Sequence, residues 1–147
     1  MTRIGTGRVD HVGIVVTDTS AAIELYTTLF GLRADESVEV EREGIRLTFL
    51  HPTDLDSTAT TIELLEPTRA DTGVARFVEK RGEGTHHVCF EVDDVQREIE
   101  RLAGLGFQVL DQTPRSGAHG ERLAFVHPKS ARGVLIELYE RGSRRAH

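Results

Sequence analysis

The sequence lacks the features that mark secreted or membrane-embedded chains. It has a single cysteine, Cys89, so no disulfide can form within the chain, and this favours a reducing compartment. No apolar run reaches the length of a transmembrane span, and the first residues lack the apolar region of a signal peptide. We therefore expect a cytoplasmic protein that does not bind membranes.

Acidic residues outnumber basic ones, with 24 Asp and Glu against 18 Lys and Arg. The formal net charge is -6 at pH 7, which argues against nonspecific binding to nucleic acid. Basic residues cluster only at 141–145, a run that we interpret as a solvated tail. The chain of 147 residues has the length of one domain with a substantial core. We predict a single domain spanning residues 1–147.

The strongest positive signal is an internal repeat. His11 aligns with His87 at an offset of 76 residues, and the same offset aligns Gly44 with Gly120. After a shift of two residues, Glu63 aligns with Glu137. Such a repeat largely determines the fold, and two copies are too few for a solenoid. We predict an α+β domain with pseudo-twofold symmetry, in which each copy covers the apolar face that the other cannot bury alone.

Each copy has the pattern of a β-α-β-β-β module. In the first copy, strands are predicted at residues 9–16, 37–41, 45–50 and 60–65, with a helix that follows residues 18–20 and ends at Gly31. In the second copy, strands are predicted at residues 86–92, 122–126 and 134–139, a further strand is predicted to start at residues 108–110, and a helix is predicted at 95–105. Residues 9–66 and 85–140 are thus the two modules, and residues 67–84 form a connector that contains a short helix.

The repeat places one histidine and one glutamate in each copy, namely His11 and Glu63, then His87 and Glu137. Strand side chains alternate between faces, so His87 and not His86 shares the register of His11. Both glutamates stand among Ile and Leu, where an unpaired carboxylate is costly and a bound metal removes that cost. Taken singly, each residue is more often a hydrogen-bonded core histidine or an exposed glutamate. The common register favours a site for zinc, cobalt, nickel, manganese or iron.

A glycine-rich turn at residues 116–120 is a second candidate site. Backbone N–H groups in such a turn can face a ligand. We single out Gly117, Ala118 and His119 as candidate binding residues, although His119 is equally compatible with an exposed loop position.

Several stretches carry a resemblance to a known family. They are residues 10–14, 62–67, 80–87, 91–95, 114–120, 127–130 and 133–138. With them, the chain resembles the methylmalonyl-CoA epimerase family of the vicinal oxygen chelate superfamily over nearly all of residues 9–139. The resemblance implies the glyoxalase fold, a cup-shaped mixed sheet of eight strands. It also implies one divalent ion (cobalt, manganese, nickel or zinc), an acyl-CoA substrate and a homodimer.

The resemblance further implies a reaction and roles for residues. The enzyme would interconvert (2R)- and (2S)-methylmalonyl-CoA by moving the proton at C2 through a metal-stabilised enolate. The implied metal ligands are His11, Glu63, His87 and Glu137, with glutamine common in the family at the position of Glu63. The implied acid/base pair is Glu137 and a glutamate in the turn between strands 2 and 3.

That turn departs from the family pattern. The family usually shows glutamate, one further residue and then glycine, whereas this chain has Arg42 at the expected glutamate position. A turn shortened by one residue lets Glu43 serve as the second base. Glu41 remains an alternative, as does a charged hairpin in which both glutamates are solvated.

Three other functions stay open at this point. A glyoxalase-I-type lactoylglutathione lyase uses a similar His-Glu-His-Glu site. An iron oxygenase of the superfamily needs only two histidines and one carboxylate, which leaves positions open for oxygen. The second carboxylate here, Glu63, argues against this function. A metal-free binding or resistance protein keeps the same sheet without chemistry.

Overall fold

Two compact units make up the chain. The computed structural model describes residues 5–54 and 58–144. One unit contains residues 11–86, and the other contains residues 1–10 together with 87–147. We call them the first-copy unit and the second-copy unit, since each holds the histidine and the glutamate of one copy. The first-copy unit includes residues 67–86, which follow the first module. The second-copy unit includes the start of the first strand, which precedes His11.

The first-copy unit follows the predicted β-α-β-β-β order and the predicted connector helix, with an added two-residue strand at Arg33–Ala34 that the sequence did not predict. Its elements are the part of β1 (Gly5–Val15) from His11 onward, α1 (Thr19–Phe30), β2 (Arg33–Ala34), β3 (Val38–Val40), β4 (Ile45–His51), β5 (Thr61–Pro67) and α2 (Gly73–Arg81). The strand order is β2-β4-β5-β1, and β3 also pairs with β4. Only the β1–β5 pairing is parallel.

The second-copy unit repeats this topology. Its elements are the part of β6 (Gly84–Val92) from His87 onward, α3 (Val95–Gly104), β7 (Arg115–Ser116), β8 (Arg122–Val126), a 3-10 turn (Pro128–Ser130) and β9 (Ile136–Glu140). The order is β7-β8-β9-β6, again with one parallel pairing, between β6 and β9. Residues 5–10 of β1 belong to this unit, where the backbone of Gly5 lies so close to β6 that an added Cβ would sit 2.8 Å from the carbonyl oxygen of Glu91.

Matching caps begin the first helix of each unit. Asp18 accepts the N–H of Ala21 at 3.0 Å, and Asp94 accepts the N–H of Arg97 at 3.1 Å. Such a cap satisfies a donor that has no partner within the helix. Helix α1 ends at Gly31, whose φ of 69° suits the left-handed conformation of a C-cap.

A glutamate at the end of the last strand ties each helix to its sheet. Glu66 accepts the N–H of Thr19 at 2.8 Å, and Glu140 accepts the N–H of Val95 at 3.1 Å. A carboxylate at a helix N-terminus also interacts favourably with the helix dipole. The same hydrogen bond therefore fixes the helix position in both units.

Each unit has an apolar core of its own between helix and sheet. The buried residues of the first-copy core are Val16, Ala22, Leu50 and Leu64. Those of the second-copy core are Val92, Val95, Ile99, Ala124, Val126 and Leu138. Since burying one aliphatic side chain of this size contributes about 1.5–3 kcal/mol, these clusters hold each helix on its strands.

The second copy departs from the sequence prediction at one strand and at the start of another. Residues 108–110 form no strand and make only an isolated bridge between Val109 and Val126, while the short strand of this region lies at Arg115–Ser116. Alternation over three residues is too short a signal to locate a strand. The last strand begins at Ile136 and not at residue 134.

The basic tail was also misjudged. Arg144 lies against the aromatic ring of Tyr139 and pairs with Asp10, so it is not a solvated side chain. Arg145, the last residue of the predicted tail, lies outside the described residues. None of the helices in the described ranges is long and apolar enough to cross a membrane.

Candidate active site

The first-copy unit brings His11 and Glu63 together. His11 on β1 is 2% exposed, and its Nε2 lies 3.6 Å from Oε2 of Glu63 on β5. The ring of Phe49 on β4 meets the imidazole edge-on, with the ring centroids 5.7 Å apart. Two adjacent strands and an aromatic neighbour thus hold an imidazole and a carboxylate in a buried pair.

The second-copy unit holds the same arrangement. His87 on β6 is 3% exposed, and its Nε2 lies 3.0 Å from Oε1 of Glu137 on β9. Phe125 on β8 meets the imidazole edge-on, with the ring centroids 6.1 Å apart. Each unit therefore contains a buried His-Glu pair whose imidazole meets a phenylalanine ring edge-on.

Strand register explains why the two pairs match. Glu63 stands opposite Phe49 in the β4–β5 ladder, and Glu137 stands opposite Phe125 in the β8–β9 ladder. On the other side, Glu63 neighbours Gly13 and Glu137 neighbours Cys89, two residues beyond each histidine. Since side chains two positions apart share a face, histidine and glutamate meet on the same side of each sheet.

The donor atoms suit a divalent cation. Both carboxylates are at least nine-tenths buried, which is costly for a charged group unless hydrogen bonds or a cation compensate. Two imidazoles and two carboxylates form a set that borderline divalent ions accept. The residues present in the two units therefore fit the metal that the sequence predicts.

The turn proposed to supply the second base is a tight hairpin in the first-copy unit. The N–H groups of Glu43 and Gly44 both donate to the carbonyl of Val40, at 3.0 and 2.9 Å. Arg69 donates to the carbonyl of Glu41 from the other side of the turn. The side chain of Glu43 is 44% exposed, with Nη2 of Arg42 3.9 Å from its Oε1. Glu43 is thus open to solvent, and its catalytic role stays a prediction.

Hydrogen bonds within the glycine-rich turn hold its backbone in place. Gly117 donates its backbone N–H to the carbonyl of Glu121 at 2.8 Å, and His119 donates its backbone N–H to Oε2 of Glu121 at 3.1 Å. Gly120 donates its N–H to the carbonyl of Gly117 at 3.1 Å. These three N–H groups bond within the loop, that of His119 to the side chain of Glu121 and the other two to backbone carbonyls. Binding by Gly117, Ala118 and His119 through other atoms stays a prediction.

Other histidines have separate local roles. His51 hydrogen-bonds Asp35 through Nε2 at 2.6 Å. His127 accepts the N–H of Lys129 at 3.0 Å and so caps the 3-10 turn. His86 meets the ring of Phe77 edge-on, with centroids 5.1 Å apart.

Sequence reasoning missed a buried charge cluster in the second-copy unit. Asp10 on β1 is 4% exposed and accepts hydrogen bonds from Arg8 at 2.8 Å and from Arg144 at 3.0 Å. Arg8 also donates to Glu91, which is 7% exposed. Burial opposes the charge on both arginines, yet their carboxylate neighbours raise the pKa of Arg8 and of Arg144 above the ordinary value. The repeat held no signal for this cluster, because its members have no counterparts in register.

The sequence profile of the glyoxalase/bleomycin resistance protein/dioxygenase superfamily matches residues 10–125. The chain belongs to this superfamily. Membership confirms the predicted fold class, the α+β glyoxalase fold built from two β-α-β-β-β modules. The matched region contains the first three of the four predicted metal ligands, and Glu137 lies beyond it.

Comparison with individual members of the superfamily shows which enzymes this chain is similar to. The chain is 36% identical over 140 residues to the mitochondrial methylmalonyl-CoA epimerase of Dictyostelium discoideum, covering 95% of this chain and 81% of that protein. It is 36% identical over 134 residues to the ethylmalonyl-CoA/methylmalonyl-CoA epimerase of Cereibacter sphaeroides, covering 90% and 96%. A solved structure of Streptomyces coelicolor methylmalonyl-CoA epimerase in complex with 2-nitronate-propionyl-CoA superposes with a TM-score of 0.85 at 35% identity, covering 95% and 99%. The resemblance to the epimerase family is thereby confirmed.

Proposed function

We propose that the chain is a metal-dependent methylmalonyl-CoA epimerase that interconverts the (2R) and (2S) forms of its substrate. The observation that carries the proposal is the pair of buried His-Glu sets, one in each copy, in a chain whose relatives are epimerases of this name. Substrate and reaction are transferred from those relatives, and the roles of individual residues are those that the family resemblance implies.

Four residues would hold one divalent ion: His11, Glu63, His87 and Glu137. When bound, a divalent ion acts as a Lewis acid that stabilises negative charge developing on the thioester oxygen. The mixed imidazole and carboxylate set suits cobalt, manganese, nickel or zinc and does not select among them.

Two glutamates would move the proton at C2. Inversion requires the proton to leave from one face of the planar enolate and another to arrive at the opposite face. In one direction Glu137 takes the proton while a protonated Glu43 delivers one to the other face, and in the reverse direction the roles exchange. Glu41 is the alternative to Glu43, because both lie in the same exposed hairpin.

The loop at residues 116–121 would contact the acyl-CoA. Its hydrogen bonds to Glu121 hold the turn in one conformation before substrate arrives, and such preorganisation lowers the entropy lost on binding. We further propose a homodimer, which the family resemblance implies. We propose a cytoplasmic location on the basis of the sequence composition.

Proton exchange at C2 tests the function directly. We expect the purified protein to wash solvent deuterium into C2 of methylmalonyl-CoA and to convert either epimer into the other, and we expect a chelator to stop both processes. Activity on the hemithioacetal of glutathione instead would show a lactoylglutathione lyase. Exchange that persists unchanged after the metal is removed would overturn the metal-dependent mechanism.

A further inference from the structure

The segment after β9 folds back onto the glycine-rich loop of its own unit. We call residues 141–144 the C-terminal clasp. The guanidinium of Arg144 lies 4.4 Å from the centroid of the Tyr139 ring, and its Nη2 donates to Oδ2 of Asp10 at 3.0 Å. The Arg144 side chain is 26% exposed. Cation–π stacking and a charge-assisted hydrogen bond therefore hold it in place.

The same arginine reaches the carboxylate that organises the loop. Nε of Arg144 lies 3.9 Å from Oε2 of Glu121, a residue that is 8% exposed. That carboxylate accepts the N–H of His119, and the backbone carbonyl of Glu121 accepts the N–H of Gly117. An added Cβ on Gly117 would lie only 1.6 Å from Oε1 of Glu121. Only glycine leaves room for the carboxylate to fold over the turn.

A second contact joins the clasp to the residue after Glu121. Oγ of Ser143 accepts the N–H of Arg122 at 3.0 Å and donates to the carbonyl of Glu140 at 2.7 Å. Arg122 in turn pairs with Glu140 at 3.2 Å. The clasp thus contacts Glu121 through the charge of Arg144, and it contacts the start of β8 through the backbone N–H of Arg122.

We propose that Arg144 is a positioning residue for substrate binding, which acts by holding Glu121 and, through it, the loop at residues 117–120. Two buried carboxylates, on Asp10 and Glu121, converge on one guanidinium, and removing it leaves both without that counter-charge. Because an uncompensated buried carboxylate is costly, Glu121 would turn toward water and release the N–H of His119. The proposal rests on the proposed function, since it assigns the loop to the acyl-CoA.

Amide hydrogen exchange and steady-state kinetics of full-length variants test this role together. In Arg144→Met we expect faster exchange at His119 and a KM for methylmalonyl-CoA raised about tenfold, which corresponds to about 1.4 kcal/mol. We expect kcat to change much less, because Arg144 touches no reacting atom in the proposed mechanism. Arg144→Lys keeps the charge opposite Asp10 but loses the planar group that stacks on Tyr139, so it should restore part of both values.

Arg141→Met is the matched control. Arg141 belongs to the same clasp, but it pairs with Asp93 at the surface and its side chain is 54% exposed. Both exchange at His119 and KM should stay at the values of the unmodified protein. A general effect of removing an arginine from the tail would appear in this variant too, and that result would overturn a specific role for Arg144.

A double-mutant cycle with Glu121→Gln tests the route through Glu121. If Arg144 acts through this carboxylate, the effects of Arg144→Met and Glu121→Gln on KM should be strongly non-additive. Additive effects, or unchanged exchange at His119 in Arg144→Met, would sink the proposal. If Arg144→Met does not fold, Arg144→Lys and Glu121→Gln carry the test. Should the unmodified protein lack epimerase activity, the proposed function fails, while the exchange measurements still test the clasp.

Discussion

The two copies agree where they hold imidazole and carboxylate, and they differ in the turn that leads into the next-to-last strand. Both histidines lie edge-on to a phenylalanine and both glutamates occupy the same ladder position, although the Nε2–carboxylate distance is 3.6 Å in the first copy and 3.0 Å in the second. In contrast, the offset of 76 residues aligns Glu43 of the exposed hairpin with His119 of the glycine-rich loop.

The repeated positions and the diverged turns would have different functions. The repeated positions place the same imidazole and carboxylate donors in each unit, where they are the proposed metal ligands. The diverged turns supply different groups, an exposed carboxylate in one copy and a backbone loop pinned by Glu121 in the other. A substrate without twofold symmetry needs different groups on its two sides, so divergence is expected in the turns and not at the metal ligands.

The largest expected effect concerns the metal. His11→Ala or His87→Ala should each lose stoichiometric divalent ion, because either change removes one of the four proposed ligands. Elemental analysis of protein purified without added ions measures the content. His51→Ala and His127→Ala are the matched controls, since they change a histidine of each copy outside the proposed site, and both should keep the metal.

Two outcomes for the variants His11→Ala and His87→Ala would contradict this prediction. Full metal content in both would rule out this site. Loss in only one of them would place the ion in a single copy and end the equivalence between the copies.

The next largest effect concerns the second base. Glu43→Gln should lower the rate of epimerisation by about 10²- to 10⁴-fold, the range for a lost general acid or base. One epimer should still exchange its C2 proton with solvent deuterium through Glu137, and the metal should remain. Glu137→Gln should instead disturb both metal content and exchange, because Glu137 is proposed as ligand and base together.

Glu41→Gln is the control for this assignment, since it removes a carboxylate from the same hairpin. Near-normal epimerisation by Glu43→Gln together with an inactive Glu41→Gln would transfer the role to Glu41. If neither variant loses activity, the hairpin supplies no base, and the proposed division of work between the turns is wrong.

The smallest expected effect compares the repeated helix caps. Asp18→Ala and Asp94→Ala should each lower the free energy of unfolding by about 0.5–2 kcal/mol, because each leaves a helix N–H without its acceptor. Denaturant unfolding measures the change. Asp71→Ala, which removes a surface carboxylate that is 76% exposed, should change stability by less than about 1 kcal/mol. Equal losses at Asp18 and Asp94 would extend the equivalence of the copies to their helices, and a clear difference would limit it to the sheet.

Periodicity and caps predicted most of the regular structure. The helices after Asp18 and Asp94 and the strands that carry Glu63 and Glu137 were all predicted near their observed bounds. These elements have strong local signals: apolar spacing, capping side chains and glycine at the ends. The strand expected at residues 108–110 failed, because its signal covers too few residues to outweigh tertiary pairing.

The sequence by itself determined which residues are equivalent. An internal repeat is a property of the chain, so His11 with His87 and Glu63 with Glu137 follow from alignment alone, and with them the predicted ligand set. Only the tertiary structure decided where unrepeated charges go. Arg144 joins Asp10, 134 positions away, and approaches Glu121. No local pattern records such a pairing, because the packing of distant segments brings these side chains together.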